Sequence, residues 1–148
     1  MFTIRKKFRI EMAHKLFSAS SEECKWVHGH SYIVEVFVQS RRVNDDGMVV
    51  DFKDLKCVVS PFLDQIDHGL MLPSVLEDEQ IHRYDHDHDR IIIVPFNPTA
   101  ELLAKWLFHR LRSEVNKVTE DRRGRLLKVR VHETESGWAE YEQNEEGE

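Results

Sequence analysis

The chain has 148 residues, 41% of them hydrophobic and 32% charged, which predicts one soluble domain over residues 1–148 with a sizeable core. The formal net charge of −6 argues against a nucleic-acid-binding protein, which needs a basic surface. No run approaches the ~20 apolar residues of a membrane span. Two cysteines and the lack of an apolar leader indicate a cytoplasmic protein.

The first two predicted strands place three histidines together. Residues 2–14 alternate between apolar and charged side chains, and the apolar face ends at His14. Residues 28–39 predict a second strand whose even positions begin with His28 and His30. If the two strands pair antiparallel, the three imidazoles share one face at one end. Because catalytic zinc takes three protein ligands and keeps one open position, the pattern predicts a Zn²⁺ site.

The polar loop between these strands carries Cys24, four residues before His28. A thiol beside a metal can transfer protons, whereas an isolated cysteine is more often inert; only a setting that favours the thiolate separates the two. We predict that Cys24 is the base. Cys57 lies beside an apolar helical stripe, which indicates a packing role.

A turn, a short strand and a helix are predicted next. Residues 44–47 have turn composition, and residues 48–52 are predicted to form the strand. Apolar residues then recur at helical spacing over 52–66, with Asp51 as the N-cap and a kink or break at Pro61.

Asp67 and His68 are predicted to close this helix. They are either a solvated surface pair or a functional pair in which the carboxylate sets the tautomer and basicity of the imidazole; the sequence leaves both open. Residues 73–90 show no periodicity and predict an exposed loop or insertion. Within it, residues 85–89 alternate Asp and His, but such ligands would face both sides, so an organised second metal site is disfavoured.

A buried strand is predicted at 91–94, followed by a helix with Asn97 as its N-cap and Pro98 in its first turn. The apolar stripe of this helix is predicted to consist of Leu102, Leu103, Trp106, Leu107, Leu111 and Val115.

Two more strands are predicted near the end of the chain. In the first, Leu127, Val129 and Val131 form an apolar face that ends at Glu133, which is either a costly buried acid or a ligand anchor. The second covers 137–141, and residues 142–148 form an acidic tail. The order of elements predicts an α+β domain with helices on one face of an antiparallel sheet.

Six motifs occur in the same order in a known family. They are Met12-Ala13-His14, Cys24-x-x-x-His28-Gly29-His30, residues 47–52, residues 63–68, Asn97-Pro98-Thr99-Ala100-Glu101 and His132-Glu133-Thr134. Over residues 2–141 the chain thereby resembles the 6-pyruvoyl-tetrahydropterin synthase family. The spacing from Cys24 to His28 is most similar to the 6-carboxytetrahydropterin synthase branch, which serves queuosine biosynthesis. The sequence departs from the family at Met71-Leu72, where a leucine–asparagine pair is common.

The resemblance implies a T-fold, in which a four-stranded antiparallel sheet with two helices assembles through sheet edges into a barrel. It implies a homohexamer with its sites between subunits. It also implies Zn²⁺ at His14, His28 and His30, catalysis by Cys24, Asp67 and His68, and pterin binding by Glu133, Thr99 and Thr134.

The implied reaction converts 7,8-dihydroneopterin triphosphate to 6-carboxy-5,6,7,8-tetrahydropterin, releasing acetaldehyde and triphosphate. Alternatives on the same fold are synthesis of 6-pyruvoyltetrahydropterin and cleavage of dihydroneopterin to 6-hydroxymethyl-dihydropterin. A non-catalytic pterin- or metal-binding protein is the alternative from another class. The presence of Cys24, Asp67 and His68 argues against it, because binding alone needs none of them.

Overall fold

A computed structural model describes residues 1–76, 81–84 and 90–143. Its main elements are β1 (Phe2–His14), β2 (His28–Ser40), α1 (Phe52–Leu63), β3 (Gly69–Pro73), β4 (Ile91–Val94), α2 (Ala100–Lys117), β5 (Arg125–His132) and β6 (Trp138–Glu142). Single turns of 3-10 helix lie at Glu23–Lys25 and Glu120–Arg122. Within the described segments, neither α1 nor α2 is long and apolar enough to cross a membrane.

The strands form one six-stranded sheet in the order β4-β3-β1-β2-β5-β6. β1 and β2 pair antiparallel along their full length, as predicted, and His14 lies directly opposite His28. β2, β5 and β6 continue this antiparallel part. β3 and β4 instead run parallel to β1, so the sheet is mixed and larger than the four antiparallel strands that were expected.

β3 was not predicted from the sequence. This strand pairs with only three residues of β1 on one side and with β4 on the other. Met71 and Leu72, where the chain departs from the family pattern, are fully buried in it. The carbonyl of Met71 also accepts a hydrogen bond from Lys15 N at 3.3 Å, so this strand supports the start of the loop that carries Cys24.

The core lies between the two helices and the face of the sheet formed by the even positions of β1 and β2. On α2 the buried residues are Leu103, Ala104, Leu107, Phe108, Leu111 and Val115. The predicted stripe was wrong at Leu102, which is 38% exposed, whereas Trp106 is partly buried and packs against the core. Ala104 and Phe108 are buried as well, so the buried face of α2 is wider than the predicted stripe.

The segment before α1 differs from the predicted short strand. Residues 48–51 form no strand, and residues 49 and 50 are a bend, because the side-chain carbonyl of Asn44 accepts from Asp46 N and Met48 N and holds the chain in a compact turn. Asp51 caps α1 through Lys53 N, as predicted.

Pro61 does not break α1, which continues to Leu63. Proline in a helix removes one backbone hydrogen bond, here to the carbonyl four residues earlier at Cys57. Cys57 is exposed, so water can satisfy that carbonyl, and the predicted packing role for its side chain was wrong. The helix ends before Asp67, which therefore lies in the following turn.

A β-bulge shifts the inward face of β5. Phe37 pairs with Lys128 while the next residue, Val38, pairs with Leu126, so Leu127 is skipped. Leu126 is therefore buried in the core in place of the predicted Leu127. The predicted Asp–His run at 85–89 and residues 144–148 of the predicted tail lie outside the described residues.

Candidate metal centre and active site

The three histidines predicted as metal ligands meet at one end of the β1–β2 ladder. His14 and His28 are paired across the strands, and His30 is paired with Met12, one step along the same face. One ring nitrogen from each imidazole lies within 4.8 Å of the others, and this is the one such group of three among the described residues. The antiparallel register thus brings together ligands that are 14 and 16 positions apart in the chain.

Backbone carbonyls fix the tautomers of two of these imidazoles. Nδ1 of His14 lies 2.7 Å from the carbonyl oxygen of Pro98, and Nδ1 of His28 lies 2.8 Å from that of Trp26. A carbonyl only accepts hydrogen bonds, so each Nδ1 carries the proton and each Nε2 presents a lone pair. The two Nε2 atoms are 3.0 Å apart. Two lone pairs this close repel each other unless a cation lies between them.

His30 adds a third unsatisfied nitrogen. Its Nε2 is buried and has no hydrogen-bond partner among the described residues; the nearest acid, Glu133, places Oε1 3.6 Å away. Burial lowers the pKa of both His14 and His30 below the ordinary value, so protons are not retained there at neutral pH. Buried polar atoms are normally paired. A metal ion bound to the three Nε2 atoms satisfies all of them, and neutral imidazoles are suitable ligands.

Tyr32 lies beneath this group and was not recognised in the sequence. It is fully buried, and its hydroxyl is 3.2 Å from Nδ1 of His14. Burial raises the pKa of the phenol, which stays neutral. Its position two residues after His30, on the same strand face, was the available signal.

The three residues predicted to bind substrate line one cavity of about 330 Å³ next to the histidines. Thr99, Glu133 and Thr134 form its wall together with Leu16 and Trp138.

Glu133 follows directly after β5. Its amide donates to the carbonyl of Gly137 at 3.1 Å, so the tight turn between β5 and β6 fixes the position of the acid. The carboxylate therefore lies between this cavity and His30.

Thr99, and not the predicted Asn97, is the N-cap of α2. Its Oγ1 accepts from Leu102 N, and the helix begins at Ala100. Asn97 lies two residues earlier and its side chain instead bonds to the backbone of the loop that carries Cys24. One short segment thus places the cap, the cavity wall and, through the carbonyl of Pro98, a metal ligand.

Cys24 is half-buried in the 3-10 turn before β2, and its carbonyl accepts from Leu16 N at 3.3 Å. The thiol lies outside the ligand group formed by the three histidines.

Asp67 and His68 form a direct pair, with Oδ2 of the acid 2.9 Å from Nδ1 of the imidazole. Both are anchored to Glu11: its amide donates to Oδ1 of Asp67 at 2.8 Å, and its carbonyl accepts from His68 N at 2.6 Å. Burial opposes ionisation of Asp67, but these hydrogen bonds prevail and lower its pKa. Arg90 donates to the carbonyls of Asp67 and Asp64 at 2.8 and 2.6 Å, which fixes the turn.

This pair does not join the metal ligands within one chain. His68 lines a shallow cavity of about 390 Å³ with Glu11, Gly29 and Ser31. The metal ligand His30 also borders this cavity, but neither Asp67 nor His68 belongs to the group of ligand atoms that the three imidazoles form. The side chain of His68 is 71% exposed and is available to a second molecule.

Comparison with known proteins places the chain among pterin synthases. The sequence model described as 6-pyruvoyl tetrahydropterin synthase matches residues 3–144. A 6-carboxy-5,6,7,8-tetrahydropterin synthase from Haemophilus influenzae is 32% identical, over 97% of this chain and 100% of the relative. The enzyme of that name from Aquifex aeolicus is 28% identical, over 95% of this chain and 97% of the relative.

Solved structures share the fold. An uncharacterised protein from Wolinella succinogenes superimposes with a TM-score of 0.77 at 22% identity, over 97% of this chain and 98% of that one. The 6-pyruvoyl tetrahydropterin synthase from Plasmodium falciparum superimposes with a TM-score of 0.71 at 21% identity, over 95% and 98%. The predicted α+β T-fold is confirmed, with six strands in place of four. The chain belongs to the 6-pyruvoyl tetrahydropterin synthase family.

Proposed function

We propose that the protein is a zinc-dependent lyase that converts 7,8-dihydroneopterin triphosphate to 6-carboxy-5,6,7,8-tetrahydropterin, with release of acetaldehyde and triphosphate. The observation that carries the proposal is the group of three imidazoles beside a cavity that ends in a carboxylate. Relatives named 6-carboxy-5,6,7,8-tetrahydropterin synthase support the choice of product. Such a product would feed queuosine biosynthesis. Both cysteines are free, which supports a reducing, cytoplasmic setting.

In this proposal, Nε2 of His14, His28 and His30 hold the zinc. The bound ion supplies Lewis-acid polarisation of the hydroxyl groups on the substrate side chain. The carbonyls of Pro98 and Trp26 orient two of the imidazoles through their Nδ1–H groups, which keeps the Nε2 lone pairs directed at the ion.

Glu133 anchors the pterin ring in the adjacent cavity. A pterin presents neighbouring amino and ring N–H donors in one plane, and these match the two oxygens of a carboxylate. Thr99 and Thr134 line the same cavity and offer hydroxyl groups to the remaining polar atoms of the ring.

Cys24 removes or returns a proton on the substrate side chain, and the Asp67–His68 pair shares or tunes this transfer. The thiol belongs to the loop that leads into His28, whereas the pair is held by the backbone of Glu11 and exposes His68. An active site that contains both groups is therefore proposed to form between two copies of the chain. We propose a homohexamer with sites between subunits.

The sheet edges support this assembly. β3 pairs only with Met12–His14 of β1, so residues 2–11 of β1 are paired on a single side within the described sheet. At the opposite end of the sheet, β6 is the outermost strand. Unpaired strand edges bind further strands readily, so the edge of β1 in one copy can receive β6 of the next.

Product analysis tests the proposal. The purified protein, loaded with zinc, is incubated with 7,8-dihydroneopterin triphosphate, and the pterins and acetaldehyde are measured by mass spectrometry. We expect 6-carboxytetrahydropterin and acetaldehyde in equal amounts. Formation of 6-pyruvoyltetrahydropterin or of 6-hydroxymethyl-dihydropterin would assign a different reaction to the same fold. Tight pterin binding without any product would assign a non-catalytic role.

A further inference from the structure

Asn97 has no part in the proposed chemistry, yet both polar atoms of its side chain are used. We infer that Asn97 is a positioning residue that holds the loop of residues 15–27, and with it the thiol of Cys24, against the metal centre. The inference rests on the catalytic role proposed for Cys24. Asn97 is neither a metal ligand nor a lining residue of the substrate cavity, although its carbonyl accepts from Thr99 N at 2.7 Å.

The side-chain amide of Asn97 binds two successive residues of the loop. Its Oδ1 accepts from Phe17 N at 3.1 Å, and its Nδ2 donates to the carbonyl of Ser18 at 2.9 Å. Only an amide offers a donor and an acceptor at this length. Aspartate would keep the acceptor alone, and alanine would keep neither.

These contacts reach Cys24 through the backbone of the loop. Leu16 N donates to the carbonyl of Cys24 at 3.3 Å, and Nζ of Lys15 donates to the carbonyl of Lys25 at 2.6 Å. The two ends of the loop are thereby joined. A side chain that fixes Phe17 and Ser18 also fixes the turn that contains the thiol.

Packing contributes little to the position of this loop. Within one chain none of residues 15–27 is fully buried; Leu16 is half-buried, and Phe17 and Trp26 are 48% and 64% exposed. Because few apolar contacts hold the loop, polar contacts to the body of the protein carry more of its order. Asn97 supplies two of them.

The residues after Asn97 explain why this anchor bears on the metal centre. The carbonyl of Pro98 accepts from His14, and Thr99 caps α2. The ring of Pro98 fixes one backbone torsion between the loop anchor and the metal-ligand anchor. Three consecutive residues therefore set the distance between the loop and the imidazoles.

The test compares Asn97→Ala and Asn97→Asp with Asn44→Ala as a matched control. Asn44 also bonds to backbone N–H groups, but within its own turn. The rate of alkylation of Cys24 by iodoacetamide is measured by peptide mass spectrometry on the zinc-loaded protein, with the exposed Cys57 as an internal reference. Zinc content, thermal unfolding, kcat and KM are measured on the same samples.

In Asn97→Ala we expect the alkylation of Cys24 relative to Cys57 to rise about 10-fold, since two hydrogen bonds that order the loop are lost. We expect kcat to fall by a similar factor of about 10, with zinc content and KM near the parent values. Asn97→Asp should be intermediate in both measurements. Asn44→Ala should change neither ratio.

An unchanged alkylation ratio in Asn97→Ala with parent zinc content would overturn the inference. Loss of zinc in Asn97→Ala would also overturn it, because the residue would then act on the imidazoles through Pro98 and not on the loop. If the alkylation of Cys24 rose while kcat stayed at the parent value, the order of the loop would not matter for catalysis, and this result would also contradict the inference. If the parent forms no product but the alkylation ratio still rises, the proposed function fails while the positioning of the loop stands.

Discussion

On the face of β1 and β2 that meets the helices, three imidazoles lie together, and among the described residues the nearest acid to the buried nitrogen of His30 is 3.6 Å away. On the opposite face of the same strands, the side chain of Glu35 is buried more deeply than that of His30 and lies among basic side chains. These two polar groups differ in whether the chain itself supplies their partners.

The side chain of Glu35 is 1% exposed. Arg5 and Lys7 of the neighbouring strand lie 2.9 and 3.7 Å from Oε1, and His132 and Arg130 lie 2.9 and 3.6 Å from Oε2. The charge of the acid is thus compensated from both sides: Oε2 through a hydrogen bond with His132, and Oε1, which lacks a hydrogen bond among the described residues, through the charges of Arg5 and Lys7. The imidazole group is complete only when an ion joins it. A buried polar group that lacks partners in its own chain indicates a ligand site, and a compensated one indicates a structural role.

Removing one of the three imidazoles should have the largest effect, and it tests directly whether this group binds a metal ion. We expect His28→Ala to reduce bound zinc from about one ion per chain towards zero and to lower turnover on the order of 10³-fold or more. Elemental analysis and product formation measure the two effects. His109→Ala, on the exposed face of α2, is the control and should keep its metal. An unchanged zinc content in His28→Ala would rule out the proposed metal site.

The thiol of Cys24 is the proton-transfer group proposed for the loop of residues 15–27. Cys24→Ala should lower turnover by about 10²- to 10⁴-fold, the range of a lost proton-transfer group, while fold and zinc content stay at parent values. Cys57→Ala serves as the matched control because that thiol is exposed on α1. Near-normal turnover in Cys24→Ala would exclude the thiol from the mechanism.

Removing Glu35, on the face opposite the imidazoles, should lower the stability of the protein without loss of zinc. Glu35→Ala leaves Arg5, Lys7, Arg130 and His132 without their acid, but these side chains are partly exposed, so it should lower the free energy of unfolding by about 1–3 kcal/mol. Urea unfolding measures this change. Glu140→Ala, on the same face but 28% exposed, should cost at most about 1 kcal/mol. Zinc loss in Glu35→Ala with a stable fold would show that the two faces are not independent.

Glu133 tests ligand recognition apart from the metal. Glu133→Gln replaces one acceptor with a donor that opposes the N–H groups of the pterin, at a cost of about 2–3 kcal/mol. Pterin affinity should fall about 30- to 200-fold. Calorimetry with a pterin analogue measures it, and zinc content should not change. Parent-like affinity would make Glu133 a structural acid and place the pterin elsewhere.

The two faces should also lose stability in different pH ranges, which is the smallest effect expected. Burial lowers the pKa of His14 and His30 below 6.5, so the folded metal-free protein binds fewer protons than the unfolded chain and loses stability as pH falls from 6.5. For Glu35, burial alone would raise the pKa, but the bond from His132 and the charge of Arg5 lower it below 4.5. Its contribution is therefore lost only as pH falls below 4.5.

Urea unfolding of the metal-free protein at a series of pH values between 7 and 3 measures both components as losses in the free energy of unfolding. Glu35→Gln should flatten the low-pH component and leave the loss near neutral pH in place. A variant that changed both ranges together would contradict the assignment of one range to each face.

The alternation of side chains in residues 2–14 and 28–39 was enough to predict the β1–β2 ladder and the meeting of its three histidines, because strand periodicity is a local property. The apolar face that ends at Glu133 was likewise visible, and the structure places the acid next to His30. The motifs shared with the pterin synthases indicated the family before any contact was known.

Only the tertiary structure decided the rest. β3 consists of five residues that become a strand through parallel pairing with distant segments, which no local pattern encodes. The bulge at Leu127 depends on the register with β2, and the shift of the α2 cap from Asn97 to Thr99 depends on a loop 80 positions earlier. Asp67 and His68 stay outside the group of metal ligands, because Glu11 and Arg90 hold their turn beside β1. Sequence identifies which side chains can act, and long-range contacts decide which of them share a face.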